Sequence, residues 1–302
     1  MLAIQFDRFG GPEVLRPVEL PSPAVRDGEV LLTVEAAGVN FADTHQVDGS
    51  YLDASALPYV PGSEVVGRTP DGRRVLARVS GGYAEQVAAK ESALVEVPEE
   101  LGAAEALALL MQGLTAWHLL RTAARLREGE TVVVHSAAGG VGSLAVQLAR
   151  EFGAGRVLAQ ASTPAKERLA LELGADAVAS YPLAGKADVV LDAVGGELFD
   201  RALESMAPFG RLVTYGNAAR AGFTPVDPAR LGRLPASVVG FWLRPALATP
   251  GGVSEPLGEL FELVGAGRLK PVTGPGYPLA EARRAHEDLL ARRTVGKVVL
   301  RP

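Results

Sequence analysis

Glycines supply the first chemistry legible in this chain. Gly139, Gly140 and Gly142 fall in the run His135-Ser136-Ala137-Ala138-Gly139-Gly140-Val141-Gly142-Ser143-Leu144-Ala145. Closely spaced glycines let a backbone turn tightly and bring its N–H groups against an anion. Two elements must flank such a turn for it to work. Val132-Val133-Val134 before it has the β-branched pattern of a buried parallel strand, and Val141, Leu144, Ala145, Leu148 and Phe152 after it recur at helical spacing. Gly140 to Ala145 then fits G-x-G-x-x-A at a strand-to-helix turn, the dinucleotide fingerprint. Gly140 is expected to permit the turn, Gly142 to clear a pyrophosphate and Ala145 to keep the helix close to its strand. Thr131 to Ala149 carries no charged side chain, but its glycines and the flanking Glu128 and Glu130 argue against a membrane span.

About 20 residues beyond the glycines, an NAD site places an acidic residue on the ribose 2′-hydroxyl. Here the sequence reads Gln160-Ala161-Ser162-Thr163-Pro164-Ala165-Lys166. Thr163 before Pro164 reads as a helix N-cap with proline at the first helical position. Lys166 in that first turn makes an anion site suited to a 2′-phosphate, so the expected cofactor is NADPH.

Other chemistries are poorly supplied. There is no cysteine, which removes disulfides, thiolate metal sites and cysteine nucleophiles. His45, His118, His135 and His286 are far apart and show no metal-ligand spacing. His135 reads as a strand residue and His286 as a helix-face residue beside Ala282 and Leu289. Ser63, Ser136 and Ser143 lack the G-x-S-x-G setting of a hydrolase nucleophile, and Glu99-Glu100 reads as a solvated loop pair.

With 302 residues, 48% of them hydrophobic and 22% charged, the chain suits two soluble domains. A net charge of −5 gives no footprint for nucleic acid. Met1 to Asp7 starts like a strand rather than a signal peptide, so a cytoplasmic protein with no membrane partner is expected. Arg outnumbers Lys 25 to 5 within a combined 30, and Asn occurs twice; this bias points to a thermophile. Residues 2 to about 97 read as short strands with Gly/Pro punctuation, and Ala103 to Arg125 as a helical stretch. From Thr131, strands alternate with helices: Arg156–Ala161, Ala177–Ser180, Asp188–Asp192, Arg211–Tyr215 and Val238–Leu243 are the further strands. The expected fold class is therefore α/β, a doubly wound parallel sheet beside a β-rich domain. Residues 98–245 are assigned to the nucleotide domain, and 1–97 with 246–302 to the other. Val295 to Leu300 is a lone terminal strand, expected to rejoin the N-terminal sheet.

Several segments together carry a family resemblance. They are Phe9-Gly10-Gly11-Pro12-Glu13-Val14-Leu15, Gly38-Val39-Asn40-Phe41-Ala42-Asp43-Thr44, Pro61-Gly62-Ser63-Glu64-Val65-Val66-Gly67, Gln112-Gly113-Leu114-Thr115-Ala116, Ala137 to Gly142, Leu173-Gly174-Ala175-Asp176 and Gly296-Lys297-Val298-Val299-Leu300. In this order the chain resembles the quinone oxidoreductases, the zeta-crystallin-like branch of the zinc-independent medium-chain dehydrogenase/reductases. The resemblance implies a GroES-like catalytic domain built from both chain ends, a Rossmann domain inserted in the chain, and NADPH as cofactor. Zinc-dependent relatives carry a cysteine near Asn40 and a histidine near Ser63; neither is present, so no metal is expected.

By the same resemblance, Lys166 and Tyr181 match 2′-phosphate contacts, with Ser162 nearby, and Arg292 matches an arginine at that end of the cofactor, unless Arg293 is the equivalent. Gly139, Gly140, Val141 and Gly142 form the pyrophosphate turn. Asn40, Thr115, Val194, Gly195, Gly216 and Asn217 match positions lining the nicotinamide and ribose. Tyr51 matches a tyrosine at the substrate mouth. The catalytic candidates are Asn40, Tyr51, Asp43 and His45. His45-Gln46-Val47 departs from the family's usual Tyr, aliphatic and Arg, which removes a charge near the pocket. The expected activity is NADPH-dependent quinone reduction. Reduction of α,β-unsaturated carbonyls or enoyl thioesters uses the same layout, and an NADPH-binding structural or sensory role is the reading of another class. A homodimer joined through Ser237–Leu243 is expected, since that apolar strand would otherwise leave a sheet edge open.

Overall fold

The longest strand explains much of the first unit. Leu32, Val34 and Ala36 are buried while Thr33 and Glu35 between them are exposed, after which Ala37, Gly38 and Val39 are all buried. One end of this strand therefore has a solvated face and the other is covered on both sides. The computed structural model describes residues 1–53 and 56–302. It divides into two units, Met1–Met111 with Val272–Pro302, and Gln112–Pro271.

In the first unit β1 (Leu2–Gln5) pairs with β2 (Arg16–Glu19), and β3 (Glu29–Val39) leads into helix α1 (Phe41–Asp48). Then follow β4 (Glu64–Arg68), β5 (Arg74–Arg78), β6 (Gln86–Lys90), β7 (Val95–Glu96) and α2 (Ala103–Leu107). The chain passes into the second unit at α3 (Leu114–His118), flanked by π-helical turns at Ala108–Gly113 and Leu119–Ala123. There β8 (Thr131–Val134), α4 (Gly140–Glu151), β9 (Arg156–Ala159), α5 (Pro164–Glu172), β10 (Ala177–Val178), β11 (Ala187–Asp192), α6 (Glu197–Glu204), β12 (Met206–Thr214), α7 (Pro228–Arg233) and β13 (Ser237–Gly240) alternate, followed by α8 (Leu243–Leu247) and α9 (Ser254–Gly265). Back in the first unit, β14 (Thr273–Pro278), α10 (Ala282–Leu290) and β15 (Lys297–Arg301) close the chain.

The second unit's sheet is parallel, in the order β10-β9-β8-β11-β12-β13. Counted from β8, this is the 3-2-1-4-5-6 order of the dinucleotide-binding fold, whose crevice opens where the order reverses, beside β8 and β11. The first unit's sheet runs β14-β15-β3-β4-β5-β7, with β6 also on β3. The terminal strand does return to the N-terminal sheet: Val298 pairs with Val39 and Leu300 with Ala37. The first unit's core gathers Phe6, Leu32, Val65, Tyr83 and Leu300; a core under the parallel sheet gathers Val133, Val190, Phe199 and Leu212.

The unit boundaries differ from those expected at residues 97/98 and 245/246. Helix α2 packs on β3, β4 and β15 through buried Ala106 and Leu107, so the first unit runs on to Met111. Helix α9 packs on α3 and buries Leu257, Leu260 and Leu263, which holds 254–265 in the second unit. Strand β13 is also shorter than its apolar run, because Trp242 is the residue before α8.

Candidate active site

In the second unit, Gly139 stands just before α4 in extended conformation, with φ −77° and ψ 177°. The first backbone N–H groups of a helix have no partner within it, so Gly140, Val141 and Gly142 present donors and the positive end of the helix dipole. The absence of side chains here has a second cause. A Cβ on Gly142 would lie 2.2 Å from Ser136 O, and one on Gly140 2.2 Å from the Gln112 side chain. Packing against the Ser136 and Ala137 backbone thus requires a glycine at 142 in addition to the pyrophosphate clearance expected there, while Gly140 stands against the end of the Gln112 side chain.

The turns after β11 and β12 are laced together. Ala218 N–H donates to Ala193 O at 3.0 Å and Ala219 N–H to Val194 O at 2.9 Å. This brings Val194, Gly195, Gly216 and Asn217 into one place. Asp192, at the end of β11, accepts from the N–H groups of Val194 (3.0 Å) and Gly195 (3.2 Å). The Asn217 carboxamide oxygen is buried and has no hydrogen-bond partner among the described residues. An unsatisfied buried acceptor is costly, and one beside two flexible glycines fits a donor brought by a ligand. Thr115 lies half-buried on α3.

The lysine-bearing turn forms as read. Thr163 Oγ1 accepts from Lys166 N–H at 3.3 Å, and Pro164 opens α5. Ser162 is exposed and Lys166 half-buried. Tyr181 is half-buried, and its hydroxyl lies 2.7 Å from Nε2 of His135. Nδ1 of His135 lies 2.8 Å from Asp192 Oδ1, and neither of that pair is exposed. His135, read only as a strand residue, follows β8 and joins Asp192 at the end of β11 to Tyr181 in the loop after β10. Helix-start amides without intrahelical partners, an orphaned acceptor and a cation-bearing turn together fit a phosphorylated dinucleotide.

In the first unit the catalytic candidates meet a buried polar network. Asn40 precedes α1, and its backbone N–H donates to Asp43 Oδ2 at 2.8 Å. Asp43 is 1% exposed and also accepts from the Tyr83 hydroxyl at 2.8 Å. Asp43, expected among the catalytic residues, is thus buried and engaged in bracing the start of α1. Burial pushes its carboxyl up to about 6, against the hydrogen bonds from Asn40 and Tyr83. Tyr83 O lies 3.1 Å from Nε2 of His286. Since the one phenolic hydrogen goes to Asp43, Nε2 must be the donor, leaving buried Nδ1 without a partner among the described residues. Burial lowers the His286 imidazole to about 4.

The Asn40 side chain is held from both ends. Its Nδ2 donates to Glu64 Oε1 at 2.7 Å, and its Oδ1 accepts from Lys297 Nζ at 3.0 Å. Lys297 also pairs with Glu64, and Glu64 Oε2 accepts from Met111 N–H at 3.0 Å. Sequence reasoning missed Glu64, Lys297, Tyr83 and the partners of His286. A single charge in each of two apolar strand runs, Glu64-Val65-Val66 and Lys297-Val298-Val299, was the available signal. His45 Nδ1 lies 2.7 Å from Ser50 Oγ at the end of α1, and Tyr51 N–H donates to His45 O at 3.0 Å. Arg293 pairs with Asp288, while Arg292 is exposed with φ +56°. Among the described residues, no group of three or more His, Cys, Asp or Glu is placed to hold a metal.

Over 99% of both chains, the sequence is 36% identical to a quinone oxidoreductase of Pseudomonas aeruginosa. This chain belongs to the quinone oxidoreductase family. Its wider setting is the medium-chain dehydrogenase/reductase superfamily: residues 26–71 match the family described as the alcohol dehydrogenase GroES-like domain, and residues 173–300 the one described as zinc-binding dehydrogenase. The quinone oxidoreductase of Thermus thermophilus, solved also as its NADPH complex, is 44% identical with a TM-score of 0.91, each chain covered in full. A mycobacterial protein solved with NADPH is 37% identical with a TM-score of 0.93, again over the whole of both chains. A quinone oxidoreductase thus combines, in this sequence, the α/β nucleotide unit and the GroES-like unit expected above.

Proposed function

We propose that this protein is an NADPH-dependent quinone reductase. The observation that carries the reading is the full-length likeness to quinone oxidoreductases solved with NADPH, on a chain whose β9–α5 turn offers Thr163 and Lys166 in place of a ribose-binding carboxylate. NADPH, when bound, supplies the hydride that a quinone accepts. The chain's own part is to bind, orient and polarise. The amides of Gly140, Val141 and Gly142 take the pyrophosphate; Lys166, with Tyr181 and Ser162, takes the 2′-phosphate. Asn217, Gly195, Val194, Gly216 and Thr115 are assigned to the nicotinamide ribose.

Asn40 and Tyr51 are the assigned donors to the acceptor's carbonyl oxygen, with His45 as a pocket residue. The Asn40 amide suits that part because Glu64 and Lys297 fix which end is oxygen and which is nitrogen. Preorganised donors need no rearrangement as charge develops on the oxygen. The test is a panel of quinones against a panel of enones and enoyl thioesters under steady-state conditions with NADPH. Quinones are expected to give the higher kcat/KM; turnover confined to the enones or thioesters would overturn the reading.

The assembly proposed is a homodimer joined around Ser237–Leu243, where β13 (Ser237–Gly240) pairs among the described residues with β12 and leaves its other edge open. Phe209, 81% exposed where β12 approaches that edge through Pro235, adds apolar surface. Light scattering at micromolar concentration should give twice the chain mass. A heat-adapted cytoplasmic protein is the accompanying proposal, supported by the arginine-rich, asparagine-poor composition and by ion pairs such as Arg211–Glu130 and Arg74–Glu35. No helix among the described residues is long and apolar enough to cross a membrane.

A further inference from the structure

His135, Asp192 and Tyr181 come from three separate segments of the second unit and form one hydrogen-bonded line running from the buried end of β11 to a half-buried phenol. The hydrogens on that line are countable. Asp192 accepts from two backbone N–H groups as well as from His135, so its oxygens act as acceptors and Nδ1 of His135 carries a hydrogen. Nε2 then has two states. Without a hydrogen, it takes the only one the Tyr181 hydroxyl has, and the phenol can offer an incoming anion nothing but lone pairs. With a hydrogen, Nε2 donates to the phenol oxygen, and the Tyr181 O–H is released to point at the anion.

We propose that binding of the cofactor's 2′-phosphate at Tyr181 is coupled to uptake of one proton by His135, so that the relay distinguishes phosphorylated from unphosphorylated dinucleotide. The proposal rests on the assignment of Tyr181 to the 2′-phosphate. The proton balance is simple: the Tyr181 hydrogen moves to Nε2, and the phenol takes a replacement proton from the buffered solvent, for a net uptake of one. His135 gains one positive charge opposite the Asp192 carboxylate. The ionisable groups facing His135 are Asp192 from β11 and Tyr181 from the loop after β10, with Tyr215, after β12, set against the same carboxylate. Burial and the nearby Asp192 push both phenols up, so Tyr181 stays a protonated donor. A phosphate needs such a donor, whereas a ribose hydroxyl can itself donate to the phenol oxygen and needs no change at His135.

The experiment is calorimetric titration of the full protein with NADPH and with NADH, in two buffers of different ionisation enthalpy near pH 8. There the free 2′-phosphate, with a second pKa of about 6, is already a dianion. Wild type is expected to take up roughly half to one proton per NADPH and none with NADH, and the NADPH Kd to rise with pH by up to about tenfold per unit while the NADH Kd stays level. His135→Gln should abolish the difference. Tyr181→Phe, at a half-exposed position that leaves the buried pair intact, should abolish it as well and weaken NADPH but not NADH. If Tyr181→Phe weakens NADPH while wild type takes up the same number of protons with both nucleotides, the contact stands and the coupling is overturned. An NADPH Kd unchanged by Tyr181→Phe removes the contact itself, and the proposal with it.

Discussion

Lys297 and Glu64, 233 residues apart in the chain, form an ion pair in which neither side chain reaches solvent. The strand between them makes this possible. Gly38 on β3 stands beside Val299 on β15, and a Cβ there would lie 2.5 Å from Glu64 Oε1 and 2.7 Å from Lys297 Nζ. The two charges close over a strand position that carries no side chain, and together they clamp the Asn40 amide.

Removing one partner of a buried pair leaves the other uncompensated and costs about 3–5 kcal/mol. Lys297→Met and Glu64→Gln are therefore expected to lose most of that in urea unfolding, and Gly38→Ala to destabilise through overlap with both side chains. Replacing both partners with apolar residues should recover much of the loss in stability while leaving Asn40 without its clamp. That double variant is expected to unfold near the wild-type midpoint yet show reduced kcat. Wild-type kcat in it would contradict the positioning part given to the pair.

Asp43 and His286 shift in ways that oppose each other in stability. The Asp43 carboxyl, raised to about 6 by burial, keeps its proton in the fold where the unfolded chain has released it at about 3.9. Its contribution is full below about pH 4 and is lost as pH rises through about 6. His286, lowered to about 4 by burial, contributes fully above about 6.5 and loses that contribution as pH falls through about 4. Between these limits the slopes have opposite sign, each at most about 1.4 kcal/mol per pH unit. Asp43→Asn should leave stability rising with pH relative to wild type, and His286→Asn should leave it falling. Urea midpoints across this range check both, and two variants sloping the same way would contradict the assignment.

Lys166 is the cation of the β9–α5 turn. A hydrogen bond to a charged group contributes about 1.5–3 kcal/mol, and each ~1.4 kcal/mol is tenfold in affinity. Lys166→Ala is expected to weaken NADPH by at least about tenfold with little effect on NADH, read as the ratio of dissociation constants. An unchanged ratio would move the 2′-phosphate elsewhere.

The parts of this protein that sequence makes legible are those set by local backbone chemistry. Gly139–Gly142 between an apolar run and a helical period, and Thr163-Pro164 before Lys166, declare their geometry within a few residues, and the structure has both turns. The lone strand 297–301 could be sent to the N-terminal sheet because a single strand needs partners. Glu64, Lys297, Tyr83 and His286 were opaque for the opposite reason. Their partners lie across antiparallel pairings and helix packing that no local period encodes, and His286 gave away only its helix face. The bracing part of Asp43 is opaque on the same ground: its motif places it in the chain, while the Tyr83 hydroxyl that donates to it comes from 40 residues away.

If the cation-bearing turn selects NADPH for quinone reduction, the choice shows in the initial rate of nicotinamide oxidation by the purified protein with one quinone and either NADPH or NADH. Turnover with NADPH is expected at a kcat/KM at least about tenfold above that with NADH. Equal rates with the two nucleotides, or no oxidation of NADPH by any quinone, would contradict this expectation.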